Sequence, residues 1–156
     1  MKSLKILTCH MLMATAFAAC TPEDNAYSEF HQLPPSGWAY NDTVLFTPVT
    51  ADTVSRGPLS IALRHNNSYE YSNIWIELTW HNGPDLKRDT LNIILADPNG
   101  RWQGKGFGPS YQIELPVDPR AVVTDSAPMA VRHIMRTDTL RGIEQIGLIY
   151  AGKDRK

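Results

Sequence analysis

The sequence is poor in cysteine, and this scarcity limits how the protein can be stabilised. Its 156 residues include two cysteines, Cys9 and Cys20. Cys9 lies inside an N-terminal segment that is typical of an export leader, and Cys20 lies at the end of that segment. Removal of the leader leaves Cys20 as the single cysteine, so no internal disulfide can form, although exported proteins commonly contain them. A hydrophobic core must therefore stabilise the fold.

An excess of basic charge is also absent. The leader contains Lys2 and Lys5 and no acid, so the remaining chain keeps 13 of the 15 basic residues and all 16 acidic ones, a net charge of −3. Binding to nucleic acid requires a basic surface, and so does electrostatic attachment to anionic lipid. The charge balance argues against both kinds of partner.

The leader has no apolar run long enough to cross a membrane as a helix. Its apolar segment, residues 6–17, spans 12 residues, whereas a bilayer requires about 20. Met1–Lys5 is positively charged, and Ala18-Ala19-Cys20 places small residues directly before a cysteine. This order predicts a lipoprotein signal peptide over residues 1–19, with lipid on the Cys20 thiol. The alternative is an ordinary secretory leader cut near Ala19, which would leave Cys20 unmodified.

Residues 20–36 are predicted to form a lipid-anchored tether with an irregular entry to the domain. Three prolines and scattered polar residues are typical of such a linker. Glu23 and Asp24 closely follow the predicted lipid site. In some bacteria an acidic pair at this place directs a lipoprotein to the outer face of the outer membrane. The alternative interpretation is an ordinary solvated linker.

Helical periodicity is missing from residues 37–156, which instead alternate between apolar and polar side chains. Such alternation indicates strands with one buried face. It appears at 43–47, 59–64, 74–80, 90–95, 111–115, 129–136 and 145–150. Turn-forming residues separate these segments at 66–67, 81–84, 97–100 and 116–119. The pattern predicts one all-β domain, a jelly-roll-like antiparallel β-sandwich of seven or eight strands, and residues 138–144 are expected to form one helical turn.

Three blocks of the chain carry a recognisable pattern: the first is 63–74, the second is 89–91 with 95–97 and 100–108, and the third is 135–136 with 140, 142–143 and 146–148. Together these blocks resemble the gliding-motility lipoprotein family GldH of the Bacteroidetes. The residues that match the family's motif are Arg64, Asn73, Gly104, Gly106, Arg136, Gly142 and Gly147. The chain departs from the family at His133, where a glutamine is expected, and over 117–127, which lacks the usual glycine-containing approach to a strand.

The resemblance implies a cell-envelope lipoprotein in the outer membrane, linked to gliding and to the associated type IX secretion machinery. The family has no established catalytic activity, so the resemblance implies contacts with other envelope proteins and neither an enzyme nor a cofactor. Arg64 and Arg136 are expected to be structural, each pairing with an acid or with loop carbonyls.

Residue patterns that carry catalysis or bind metal are missing as well. Residues 104–108 lack the lysine-serine or lysine-threonine pair of a phosphate loop, so their glycines predict a tight turn. The four histidines outside the leader show no metal-ligand spacing, and turn or strand-edge positions are expected for them. We therefore expect no metal site and no enzymatic activity.

Aromatic residues, by contrast, are numerous near the predicted loops. Trp75 has the opposite parity to Ile74, Ile76 and their apolar successors, so it is predicted to face outward. The candidate binding surface consists of Tyr69, Tyr71, Trp75 and Trp102. Exposed aromatic rings mark contacts with a protein or with a glycan, and the alternative is packing beneath the loops. A surface glycan-binding β-sandwich is thus the second functional hypothesis.

Overall fold

A computed structural model describes residues 26–50 and 53–152 of the chain. The predicted signal peptide (1–19), Cys20, Glu23 and Asp24 lie outside the described residues. Eleven strands and no helix are present within the described ranges. In chain order the strands are β1 (Ala26–Gln32), β2 (Trp38–Ala39), β3 (Val44–Phe46), β4 (Val54–Asn66), β5 (Asn73–Asn82), β6 (Asp85–Ile94), β7 (Lys105–Phe107), β8 (Ser110–Thr124), β9 (Met129–His133), β10 (Thr139–Leu140) and β11 (Ile143–Ala151).

Two antiparallel sheets form the domain. One has the order β1-β11-β4-β8-β7 and the other β3-β9-β5-β6, while β2 and β10 pair separately. The pairs β1–β11, β3–β9, β4–β8 and β5–β6 are nested, as if one long hairpin had been rolled up into two sheets. This is the strand order of a jelly roll, in which eight strands form two Greek keys. The predicted antiparallel β-sandwich is confirmed, and β2, β7 and β10 are short additions to it.

The core lies between the two sheets and consists of the alternate residues of their strands. On β4, Leu59, Ile61 and Leu63 are fully buried, and on β5 so are Ile74 and Ile76. They belong to one continuous hydrophobic cluster that draws on both sheets. Each aliphatic side chain buried in this way contributes about 1.5–3 kcal/mol. The alternation seen in the sequence therefore corresponds to an inner and an outer face of each sheet.

Two predicted connections are strands. A turn was expected at 116–119, but β8 continues through Pro116 and Pro119 to Thr124. Past Gln112 the strand pairs with β4 and no longer with β7, so it is an edge strand, where proline is tolerated. The helical turn expected at 138–144 is also wrong, because Thr139–Leu140 forms β10 and pairs with β2.

The segment before residue 37 also contains regular structure. Ala26–Gln32, which falls within the predicted tether, forms β1 and pairs with β11 along its whole length. Its inward-facing residues are polar, which hides the strand in the sequence. The Tyr27 hydroxyl donates to Glu29, and His31 Nε2 lies 2.6 Å from Glu29 Oε1. The structured domain therefore includes at least residues 26–36.

Gly142 allows the chain to pass directly against the backbone of Tyr69. Its φ is +81°, and a Cβ there would overlap the Tyr69 backbone. Gly100 has a similar φ of +78° but open space around it, with nothing within 4 Å of a Cβ. Substitution of Gly100 tests the backbone strain of a positive φ alone, whereas substitution of Gly142 tests that strain together with close packing.

We expect Gly100→Ala to lower the free energy of unfolding by about 1–2 kcal/mol, the cost of a left-handed alanine. Gly142→Ala is expected to lose about 1–3 kcal/mol more, because the clash forces the chain away from Tyr69. Denaturant unfolding followed by tryptophan fluorescence measures both variants. Equal losses in the two would contradict the close approach.

Candidate functional site

An open cleft lies on the outer face of the four-stranded sheet, at the start of β5. It is lined by Tyr71, Asn73 and Trp75, and by Met135 and Arg136 from the segment that follows β9. Its volume is about 430 Å³. Four residues singled out in the sequence thus meet at one place, which we term the aromatic cleft.

The aromatic cleft opens because β9 separates from β5 at this point. The ladder between the strands ends at Ile76 and His133. Beyond it the Ile134 N–H donates to the Trp75 carbonyl over 2.9 Å, whereas the Trp75 N–H donates to the Met135 sulfur over 3.3 Å. A thioether is a weak acceptor, so this exposed backbone donor is poorly satisfied.

Two aromatic rings of the cleft are exposed to solvent. The exposed fraction is 39% for Tyr71 and 41% for Trp75. Trp75 points outward because its neighbours Ile74 and Ile76 face the core and are fully buried, as the parity of the sequence predicted. The Tyr71 ring is held by an edge-on contact with Tyr69, with centroids 5.6 Å apart. Trp75 is thus presented by strand β5, and Tyr71, which precedes the strand, packs on the buried ring of Tyr69.

The polar side chains around the cleft differ in whether they have partners. Asn73 donates to Asn92 over 2.7 Å. Glu77 accepts from Arg132 over 2.9 Å, and this hydrogen bond holds the pKa of Glu77 below its usual value. Within the described ranges Arg136 has no hydrogen bond or ion pair, contrary to the expected pairing. Its guanidinium is available to a ligand.

Tyr69 and Trp102 do not belong to the exposed surface predicted for them. Tyr69 is 3% exposed, its hydroxyl donates to the Asn73 carbonyl over 2.9 Å, and burial raises its pKa. Trp102 is half-buried against the core, and its ring meets the ring of His65 edge-on at 4.7 Å. Both rings are used in packing, since large aromatic side chains bury more surface than other residues.

Two histidines expected at turns or strand edges are core residues instead. His65 and His133 are fully buried. They share the parity of Leu63 and Val131, which face the core, and this parity is the sequence signal that indicates their burial. Neither Nε2 of His65 nor Nδ1 of His133 has a hydrogen-bond partner in the described part of the chain. Burial lowers the pKa of both rings.

Three other predicted residues lie around a second groove, on the outer face of the five-stranded sheet. Arg64, Gly104 and Gly106 line this groove, which has a volume of about 900 Å³. Arg64 donates from Nη2 to Gln112 Oε1 over 2.9 Å, so its partner is an amide and not the expected acid or loop carbonyl. A Cβ on either glycine would overlap the backbone of Gln112 or Ser110. The glycines therefore allow β7 to lie against β8.

The last predicted glycine, Gly147, has a packing role on the same face. It pairs in register with Phe30 of β1. A Cβ on Gly147 would lie 2.5 Å from the Phe30 ring, so the ring lies across β11 at this point. Phe30 remains 37% exposed. The glycine thus positions an aromatic ring on the outer surface, which the sequence alone does not reveal.

The aromatic cleft and the groove on the five-stranded sheet are lined by side chains suited to hydrogen bonding, ion pairing and stacking. In residues 26–50 and 53–152 no group of three or more histidine, cysteine, aspartate or glutamate side chains is placed to hold a metal ion. The same ranges contain no helix that is long and apolar enough to cross a bilayer.

Comparison with known proteins identifies relatives of the chain. The GldH lipoprotein family model matches residues 25–149. A gliding motility lipoprotein GldH homolog from Christiangramia forsetii is 32% identical over 101 residues, which cover 64% of this chain and 60% of that relative. Gliding motility lipoprotein GldH from Flavobacterium johnsoniae is 22% identical over 152 residues, covering 92% of this chain and 95% of the relative. Dimeric latent PorU from Porphyromonas gingivalis aligns at 13% identity and a TM-score of 0.42, covering 89% of this chain and 14% of that one, a likeness too low to support any inference.

Because two histidines are buried, we expect the free energy of unfolding to depend on pH. An unfolded histidine titrates near pH 6.5, and the pKa of His65 and His133 is lower in the fold. The unfolded chain therefore binds more protons below that pH, and the free energy of unfolding is expected to fall from about pH 7 to about pH 5. Urea unfolding across this range measures the slope. His65→Gln or His133→Gln is expected to flatten it, and an unchanged slope in both variants would contradict the assignment.

Proposed function

The chain belongs to the GldH lipoprotein family, and we propose that it acts without catalysis, through protein contacts, in the gliding motility machinery and the associated type IX secretion apparatus. A GldH lipoprotein is a membrane-associated protein of the cell envelope, and its family is not a known family of enzymes. On this proposal lipid on Cys20 anchors the chain in the outer membrane. The β-sandwich then presents the aromatic cleft to another envelope protein.

The composition of the aromatic cleft is the observation that supports this role. Tyrosine, tryptophan, methionine and arginine are enriched where proteins bind one another, and the cleft brings together Tyr71, Trp75, Met135 and Arg136. Tyrosine, tryptophan and arginine also contribute most of the energy hot spots of such interfaces. A surface of this chemistry fits a protein partner.

The geometry of the cleft indicates what a partner has to supply. An apolar side chain can pack against the exposed rings of Tyr71 and Trp75. A carboxylate can pair with Arg136, whose guanidinium is otherwise unbonded within the described ranges. A backbone carbonyl can replace the Met135 sulfur as acceptor of the Trp75 N–H, which exchanges a weak bond for a normal one. The partner segment is therefore expected to be apolar and acidic.

We expect Trp75→Ala and Arg136→Gln each to reduce recovery of motility and secretion proteins from solubilised membranes by about tenfold or more, the loss typical of a hot-spot residue. Crosslinking followed by affinity capture of the full chain measures the effect. Leu86→Ala is the matched control, because Leu86 is 63% exposed on the same sheet at the far end of β6. Absence of any machinery protein in several detergents would contradict the proposal.

The role of the anchor is tested separately. In a strain lacking the gene, the Cys20→Ala chain is expected to leave the membrane fraction and to fail to restore gliding or protein secretion, because the acyl chains supply the membrane affinity. Cell fractionation, colony spreading and assay of secreted proteins measure these outcomes. Full rescue by the Cys20→Ala chain would show that lipid attachment is dispensable.

A further inference from the structure

A line of polar side chains crosses the outer face of the five-stranded sheet. The cross-strand neighbours in register are Gln32 with Gln145, Gln145 with Arg64, Arg64 with Gln112, and Gln112 with Lys105. Residues paired in register point to the same face of a sheet, so these five side chains cover all five strands. With strands about 4.8 Å apart, the line is about 19 Å long. We term it the amide row.

The amide row faces solvent and follows a groove. Arg64 alternates along β4 with Leu63 and His65, which are buried in the core, so it points outward. The groove of about 900 Å³ is lined by Arg64, Gln112 and Lys105 of the row. A neighbouring groove of about 350 Å³ is lined by Arg64, Gln32 and Gln145 of the row. Both grooves are lined by Arg64, so they adjoin at β4, and we refer to them together as the depression.

The row contains two cations and no acid. Arg64 donates one of its five N–H groups to Gln112, and within the described ranges it forms no ion pair. Glu144 lies beside the row, but its two carboxylate oxygens accept hydrogen bonds from Asn66 at 2.8 Å and from Ser110 at 2.9 Å. Glu114 stands in the next row and also lines the larger groove. The depression thus contains two carboxylates, but within the described ranges neither Arg64 nor Lys105 forms an ion pair with them.

We propose that this depression binds an acidic oligosaccharide. Glutamine amides both donate and accept hydrogen bonds, as sugar hydroxyls do, and Arg64 and Lys105 complement carboxylate groups. The exposed ring of Phe30, which lies across Gly147 in the next row, provides an apolar surface against which a sugar ring can pack.

An acidic peptide fits the depression less well. A peptide that binds a sheet as a strand pairs with an open edge through its backbone. The depression runs across the strands, whose backbone groups there are already paired within the sheet. The site also lies on the opposite face of the sandwich from the aromatic cleft, so it does not depend on the proposed protein contact.

Calorimetric titration of the full chain in detergent tests the ligand class. The probes are polygalacturonate, its neutral methyl ester, and polyglutamate as an acidic peptide of similar charge. Saturable binding of polygalacturonate is expected, with affinity at least about tenfold lower for the other two probes, since each lacks either the charge or the hydroxyls. Absence of binding to polygalacturonate, or equal binding of polyglutamate, would overturn the proposal.

Substitution of the two cations tests the location of the site. Arg64→Gln and Lys105→Gln are each expected to weaken binding about tenfold or more, the effect of losing one hydrogen bond to a charged group. Lys105 is exposed on the short strand β7, so its variant tests the row even if Arg64→Gln disturbs the fold. Arg56→Gln makes the same charge change at the opposite end of β4 and is the control. Equal weakening by Arg56→Gln, or unchanged affinity in Lys105→Gln, would overturn the location.

Discussion

The alternation of β4 between the inner and the outer face of its sheet is the constraint on which the other features depend. Because the chain has no cysteine after residue 20, no disulfide can hold this central strand in place. The strand is held by the burial of its own apolar side chains in the interior. Because the side-chain period of a strand is two, a shift by one residue would exchange its two faces. The register that buries Leu63 also places Arg64 between Gln112 and Gln145. The register that forms the core therefore also determines which side chains are neighbours on the outer surface.

The two outer faces of the sandwich differ in chemistry although the same core supports both. The four-stranded sheet exposes apolar side chains such as Leu45 and Ile94 in addition to the rings of the aromatic cleft. The five-stranded sheet carries amides and cations in a row. A partner that recognises one face has little in common with a ligand of the other. The two proposed contacts therefore use separate surfaces and do not compete with each other.

Local pattern was sufficient to predict the sandwich, from several short alternating segments separated by turns, and the outward position of Trp75, from the parity of one strand. It failed at β1, whose inward positions are occupied by Tyr27, Glu29 and His31, and at β8, whose prolines lie in an edge strand. The amide row could not be predicted, since its register joins strands that lie far apart in the chain. Sequence identified candidate residues, but long-range pairing determined which of them meet.

The edge strands β1 and β6 point charged side chains toward the space between the two sheets. His31 and Glu29 interact on β1, while Lys87 of β6 lies over the Trp80 ring at 5.3 Å and 3.5 Å from Asp118. Addition of another strand to either edge would bury these charges more deeply, which is unfavourable. A lipoprotein diffuses in two dimensions, where copies of the same chain collide often. Charged side chains on these two edges therefore oppose the pairing of β1 or β6 with a strand of a colliding copy.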